Sequence, residues 1–389
     1  MTTTEAAPAP GFGSAPGGRA LAPYRLMVVD DSAAIRGLLI RALETDPEVA
    51  VIASASNGKA ALAVLERNDV EVVILDIEMP VMDGLTALPK LLAAKPDIKV
   101  IIASTLTRRG ADISMRALAA GAADYLTKPG SLALSSADQF KRDLLAKVKV
   151  LGHAGRTAVA LRAAPPTAGA RRSAAAPLPD VALRRVIALR PMAREMPEAI
   201  AIGASTGGPQ ALFALLGQLK GAVRQPIFIT QHMPATFTTI LAEHIARASG
   251  YPTREAVDGE SVVAGRVYVA PGDFHMIVET AAPGERILRL SKEPPENFCR
   301  PSVDPMLRSL VQSYGSRVLA IMLTGMGRDG LAGSRALAQS GGTIIAQDEA
   351  TSIVWGMPGA VAMAGVCSAV LPLAEIAPLV EKLASRGVR

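Results

Sequence analysis

The sequence predicts two α/β domains, each built on a parallel, doubly wound sheet, with an Ala/Arg/Pro-rich linker between them. Three observations carry this prediction. Short apolar runs alternate with amphipathic helical patterns from Tyr24 to about Val150, and the alternation resumes at Pro197. Alternating βα units imply parallel strands with helices on both faces of the sheet. Residues 149–196 lose the alternation and carry Pro165-Pro166, Pro177 and Pro179, a composition that favours an extended, solvated chain.

In the first stretch the apolar runs are Leu26–Val29, Val72–Leu75, Lys99–Ala103 and a weaker one at Asp124–Leu126. Ile35, Leu38, Leu39, Ala42 and Leu43 recur at helical spacing after the first run. In the second stretch, strands are predicted at Ala199–Gly203, Pro226–Thr230, Val267–Ala270, Val318–Thr324 and Gly342–Ala346. Within the linker, Val181–Leu189 has the pattern of a short amphipathic helix. Residues 1–23 are rich in Ala, Pro, Gly and Thr. They lack a basic start followed by an apolar block, and so read as a disordered tail rather than a secretory signal.

Composition narrows the function classes. Half of the 389 residues are hydrophobic, enough for more than one core. No uninterrupted apolar run reaches the ~20 residues of a membrane span. Cys299 and Cys367 belong to no CxxC pair or Cys/His cluster, which argues against a disulfide framework or structural zinc and for a reducing, cytoplasmic setting. The net charge of +6 raises the question of nucleic acid. Its location answers it: residues 151–194 hold eight arginines and one acid, Asp180, so the folded parts are close to neutral. No nucleic-acid partner is expected.

Open α/β sheets place their sites at the carboxyl ends of strands. Asp30 and Asp31 follow the first run, Asp76 ends the second, Ser104 and Thr105 follow the third, and Lys128 follows the fourth. A cluster of acids at strand ends suits a hard cation such as Mg²⁺. A carboxylate attacks phosphorus only if the phosphoryl charge is offset, which a metal ion and a lysine can do. Any single acid here is as well explained as a helix cap; the full set at successive strand ends is not.

The strings VVDDS (Val28–Ser32), LDIEMPVMDG (Leu75–Gly84) and Thr127-Lys128-Pro129 closely resemble response-regulator receiver domains. The resemblance spans nearly all of residues 24–148 and implies a flavodoxin-like, five-stranded sheet. It also implies that Asp76 accepts phosphate from a histidine kinase, that Asp30, Asp31 and Asp76 hold Mg²⁺, and that Lys128 contacts the phosphate. Ser104 is favoured as the hydroxyl that reports phosphorylation, with Thr105 as the alternative.

The second stretch opens with Gly203-Ala204-Ser205-Thr206-Gly207 between a strand and a helical pattern, which fits the G-x-S-x-G elbow. Alone, the same turn could cradle phosphate or cap a helix. His232 directly follows a predicted strand, where a general base is well placed. The other histidines are His153 in the linker, His244 in a helical stretch expected at the surface, and His275 in a loop, the main rival to His232. Asp329 follows the run 318–324 and can orient an imidazolium. The order Ser, His, Asp differs from that of α/β-hydrolases and argues for a convergent triad.

Residues 198 to about 372 resemble the catalytic domain of the bacterial chemotaxis methylesterases, through GASTGG, TQHMP, YVAPGD, RPSVDPM, LTGMGRDG and AQDEATSIVWGMPGA. A catalytic domain over residues 197–385 is therefore expected. The resemblance implies a triad of Ser205, His232 and Asp329, with the Met326 N–H and the Thr206 region as oxyanion or orienting elements. Asn297-Phe298-Cys299-Arg300 departs from the more polar, often His-bearing stretch expected before RPSVD. The resemblance implies methylated glutamates, and glutamines for deamidation, on the cytoplasmic domain of chemoreceptors as substrates. No hydrolase cofactor, a monomer and membrane association only through receptors are expected. The basic linker reads as a solvated spacer, with acidic receptor or membrane surfaces as the alternative partner. Competing outputs are a scaffold with a decayed triad and a hydrolase of another pathway's methylated receptor. A DNA-binding output is disfavoured by the βα pattern.

Overall fold

The computed structural model describes residues 22–128, 134–163 and 187–385. In the first domain β1 (Tyr24–Val29), β2 (Val49–Ala55), β3 (Val72–Asp76), β4 (Lys99–Ser104) and β5 (Asp124–Thr127) alternate with α1 (Ala33–Leu43), α2 (Gly58–Leu65), α3 (Gly84–Ala94), α4 (Arg108–Ala119) and α5 (Leu134–Ala163). The sheet order is β2-β1-β3-β4-β5, all parallel. Every residue of β3 is buried, as expected for a central parallel strand covered on both faces. Ser32, Asn57, Asp83 and Thr107 each accept a hydrogen bond from a backbone N–H of the following helix, which fixes where α1 to α4 begin.

The second domain contains β6 (Ala199–Ala204), α6 (Gly208–Leu219), β7 (Ile227–Gln231), α7 (Ala235–Ser249), β8 (Thr253–Glu255), β9 (Val267–Val269) and the hairpin β10 (His275–Ala282) and β11 (Glu285–Ser291). It continues through α8 (Val303–Tyr314), β12 (Val318–Met322), α9 (Leu331–Gln339), β13 (Thr343–Gln347), α10 (Met357–Met363), β14 (Ala369–Leu371) and α11 (Leu373–Ala384). Seven strands form a parallel sheet in the order β14-β13-β12-β6-β7-β9-β8. Strand order reverses between β6 and β12, and such a switch point opens a crevice beyond the strand ends.

Three expectations about boundaries and elements need correction. Helix α5 runs to Ala163, well beyond the expected domain end at 148, because Leu144, Val148 and Leu151 pack into the first core and Arg156 pairs with Glu71. His153 therefore lies on this helix and not in a linker. Residues 187–196 belong to the second domain: Arg190 N–H donates to Cys367 O, and Ala193 N–H donates to Thr343 Oγ1. The expected helix Val181–Leu189 is not formed over 187–189; its earlier part, most of the tail 1–23 and residues 164–186 lie outside the described residues. Strands β2, β8, β14 and the β10–β11 hairpin had no prediction of their own.

The two domains pack directly against each other. The Tyr125 ring stacks on Phe237 of α7, with centroids 4.5 Å apart. His244, also on α7, bonds Asp112 of α4 at 2.9 Å, so it is an interface residue rather than a surface one. Gln210 of α6 donates to Ala122 O. Met326, Ile353 and Val354 of the second domain join the apolar cluster of the first, alongside Leu144 and Val148 of α5.

Candidate active site

At the first site, β1 and β3 deliver Asp30 and Asp76 buried, with Asp31 exposed beside them. Carboxylate oxygens of the three lie within 4.8 Å of one another. Lys128 Nζ stands 2.8 Å from Asp30 Oδ2 and 2.7 Å from Asp76 Oδ1. Burial raises the Asp76 pKa above the usual carboxylate value; Lys128 opposes this, and the Asp30 charge adds to it. Among the described residues Asp30 Oδ2 is buried with no well-aligned hydrogen bond, and the Lys128 ammonium stands 2.8 Å from it. An acidic, under-satisfied oxygen cluster of this kind fits a hard divalent cation. Ser104 ends β4, is buried, and donates to Gly110 O at 3.0 Å, whereas Thr105 is exposed and meets Thr107 Oγ1.

At the second site, three neighbouring strands converge on the switch point. Ser205 follows β6 in a turn closed by Gly207, whose φ of 75° a side chain would strain and whose absent Cβ leaves room for Ile353. Gly325 permits close approach too, since a Cβ there would stand 2.8 Å from Ser205 Cβ. The turn is pinned by Ser205 N–H to Thr324 O (3.1 Å), Gln231 Nε2 to Ser205 O (2.9 Å) and Thr324 Oγ1 to Thr206 O (2.9 Å). The backbone N–H groups of Thr206 and Met326 have no hydrogen-bond acceptor among the described residues. Thr206 Oγ1 instead crosses the domain boundary, to Asp124 Oδ2 at 3.1 Å.

His232 follows β7, and its Nε2 lies 2.8 Å from Asp329 Oδ2. Its other ring nitrogen, Nδ1, faces Cys299 Sγ at 3.4 Å. Ser205 Oγ makes no hydrogen bond to the ring among the described residues. Asp329 also accepts from Asn297 Nδ2, Ser302 Oγ and the N–H groups of Val303, Asp304 and Gly330. Burial works against the Asp329 anion, but His232 and these donors outweigh it and hold its pKa down at about 2. Burial likewise disfavours the His232 cation, yet Asp329 and Cys299 hold its pKa up at about 10.

The rival His275 has both ring nitrogens engaged away from Asp329. It is buried at the start of β10, its Nδ1 accepts from Ser302 N–H, and its Nε2 meets Pro294 O. It supports the segment that delivers Ser302 to Asp329. Asn297, Cys299, Ser302 and Gln231 fall in stretches that the sequence singled out, but their contacts with Asp329, His232 and Ser205 were not foreseen. Gln231 adjoins His232, whereas the others reach the site from a loop some 65 to 70 residues further along the chain, and separation of that size leaves no local signal of the contact.

Fold and sites together define a response regulator whose output domain is an α/β hydrolase. Residues 26–134 match the response regulator receiver domain and residues 200–380 match the CheB methylesterase family. A protein-glutamate methylesterase/protein-glutamine glutaminase of Azospirillum brasilense is 59% identical over 376 residues, covering 94% of each chain. A relative of the same description from Paramagnetospirillum magneticum is 59% identical over 368 residues, covering 93% of this chain and 96% of its own. Among solved structures, the Thermotoga maritima CheB methylesterase catalytic domain is 39% identical, with 49% of this chain and 100% of that chain covered and a TM-score of 0.47. The chain belongs to the protein-glutamate methylesterase/protein-glutamine glutaminase family.

Proposed function

We propose that this protein removes methyl groups from γ-glutamyl methyl esters of chemoreceptor cytoplasmic domains, and deamidates receptor glutamines, under control of phosphorylation at Asp76. The observation that carries the chemistry is the His232–Asp329 pair at 2.8 Å, set beside Ser205 at the switch point of the sheet. Asp329 fixes Nε2, so Nδ1 is the nitrogen that takes the Ser205 proton as Oγ attacks the ester carbonyl. The Thr206 and Met326 N–H groups lie on the two loops flanking Ser205 and serve as oxyanion donors, each worth about 2.7–4 kcal/mol by analogy with a protease donor. The imidazolium returns its proton to the departing methanol. Water, deprotonated by the same nitrogen, then frees the acyl group as glutamate. Deamidation follows the same path with ammonia as leaving group.

The resting structure is latent in two respects. Nδ1 is turned to Cys299, and Asp329 and Cys299 both favour the protonated ring, so Nδ1 must leave the sulfur before it can act as base. The receiver meanwhile covers Thr206 and Met326, beside the nucleophile. Phosphorylation by a histidine kinase therefore has to favour the undocked arrangement; a shift from 1:99 to 99:1 takes about 5.5 kcal/mol of differential stabilisation. Asp30, Asp31 and Asp76 would hold Mg²⁺, which when bound offsets phosphoryl charge. Lys128 offsets it further, and Ser104 is the hydroxyl placed to sense the phosphoryl group. The protein's site of action is the cytoplasm; no helix among the described residues is long and apolar enough to cross a membrane.

Methanol release from a methylated chemoreceptor cytoplasmic fragment tests this. Wild type should release methanol faster with acetyl phosphate and Mg²⁺, Asp76→Asn should lose the stimulation, and Ser205→Ala should lose about 10⁶-fold in kcat. No release from phosphorylated wild type would refute the assignment.

A further inference from the structure

The segment Glu296–Cys299 forms a tight turn at the edge of the catalytic site. Glu296 and Cys299 exchange both backbone hydrogen bonds, at 3.1 and 2.9 Å. Asn297 and Phe298 occupy its corners with φ of 52° and 63°. Turns with two positive φ values suit Asn, Asp and Gly; Phe is a costly occupant of such a position. The turn is nonetheless firmly held. Asn297 Nδ2 bonds Asp304 Oδ2 (3.0 Å) and Asp329 Oδ1 (2.9 Å), Glu296 pairs with Arg308, and Cys299 Sγ meets His232 Nδ1.

Phe298 thus stands between a residue that touches Asp329 and a residue that touches His232. Phe298 is fully exposed, more so than any other large apolar residue among the described residues. It contributes nothing to the core, and its backbone conformation is unfavourable. The receiver leaves it uncovered, since the domain contacts run through Thr206, Gln210, Phe237 and His244. Strain and exposure together at one residue, beside a site that must admit a polypeptide, point to recognition rather than folding.

We propose that Phe298 is a docking residue for the protein substrate, seating an apolar side chain of the receptor segment that flanks the esterified glutamate. This rests on the methylesterase reading above. A glutamyl side chain is short, so its backbone must come close to the Ser205–His232 site for the ester carbonyl to reach Oγ. Phe298 sits in the turn whose other residues, Asn297 and Cys299, contact Asp329 and His232, so its exposed ring belongs to the rim that such a segment must approach. A small soluble ester has no flanking segment and does not use the ring.

The test compares two substrates with phosphorylated full-length enzyme: the methylated receptor cytoplasmic fragment and the γ-methyl ester of N-acetyl-glutamate amide. Phe298→Ser should raise KM for the receptor about tenfold with kcat nearly unchanged, and leave the small ester unaffected. Phe298→Trp should restore the receptor KM. Phe298→Gly should raise Tm by relieving the backbone, and yet raise the receptor KM as the serine variant does. Unchanged receptor KM in the serine and glycine variants would overturn the proposal. So would equal losses on both esters, which would place the effect in Cys299 and His232. Methanol from neither ester with wild type would instead remove the esterase reading itself, a result distinct from any difference among variants.

Discussion

Asp76 and Asp329 are both buried carboxylates beyond the carboxyl ends of strands flanking a parallel sheet's switch point, yet their surroundings drive them in opposite directions. Asp76 has Lys128 and the Ile77 N–H as partners, with Asp30 as a like charge nearby, and its pKa is raised. Asp329 collects His232, Asn297, Ser302 and three backbone N–H groups, and its pKa falls to about 2. Asp76 is left with two donors and a like charge against the cost of burial, whereas Asp329 is saturated with donors. Donor count decides the direction.

Exchanging each carboxylate for its amide sharpens that contrast. Asp329→Asn should lower kcat about 10⁴-fold, through loss of the orienting anion. Asp76→Asn should leave the basal rate intact and abolish only the response to acetyl phosphate. Steady-state methanol release measures both, and similar losses in the two variants would break the comparison.

Stability should also respond with opposite sign. A depressed pKa contributes stability above the unfolded value and loses it as pH falls through the folded value. Asp329→Asn should therefore cost about 2 kcal/mol from this linkage near neutral pH, a cost that fades between pH 3.8 and 2. A raised pKa works in reverse, so the ionised Asp76 is a burden above its folded value. Asp76→Asn should then raise Tm at neutral pH without Mg²⁺, and the gain should vanish in acid. Denaturant unfolding across pH checks both.

The contacts between the sites give smaller effects. Asp112→Ala removes the half-exposed partner of His244 at the domain boundary. It should raise unphosphorylated methanol release about two- to fivefold, as expected for loss of one partly exposed polar contact. Cys299→Ala should lower the apparent pKa of the rising limb of the kcat/KM profile, because the sulfur is one of the groups favouring the His232 cation. An unmoved limb would show that the enzyme works from a ring already free of Cys299.

The sequence by itself determined the two α/β domains and the residues at their strand ends. Apolar runs that stop at Asp30, Asp76, Ser205 and His232 are local signals, because a parallel strand buried on both faces must be apolar and its first polar neighbour falls at the sheet edge. Which histidine meets Asp329 was decided by the tertiary structure: the His232 ring bonds its carboxylate, whereas the His275 ring is closed in by Ser302 and Pro294. The donors on Asp329, the strained turn of Phe298 and the Asp124–Thr206 bond across the domain boundary were also settled there. The physical reason is separation along the chain. Periodicity reports how a segment divides between core and solvent, but a hydrogen bond between distant residues depends on how complete elements pack, and nothing in either segment encodes its partner.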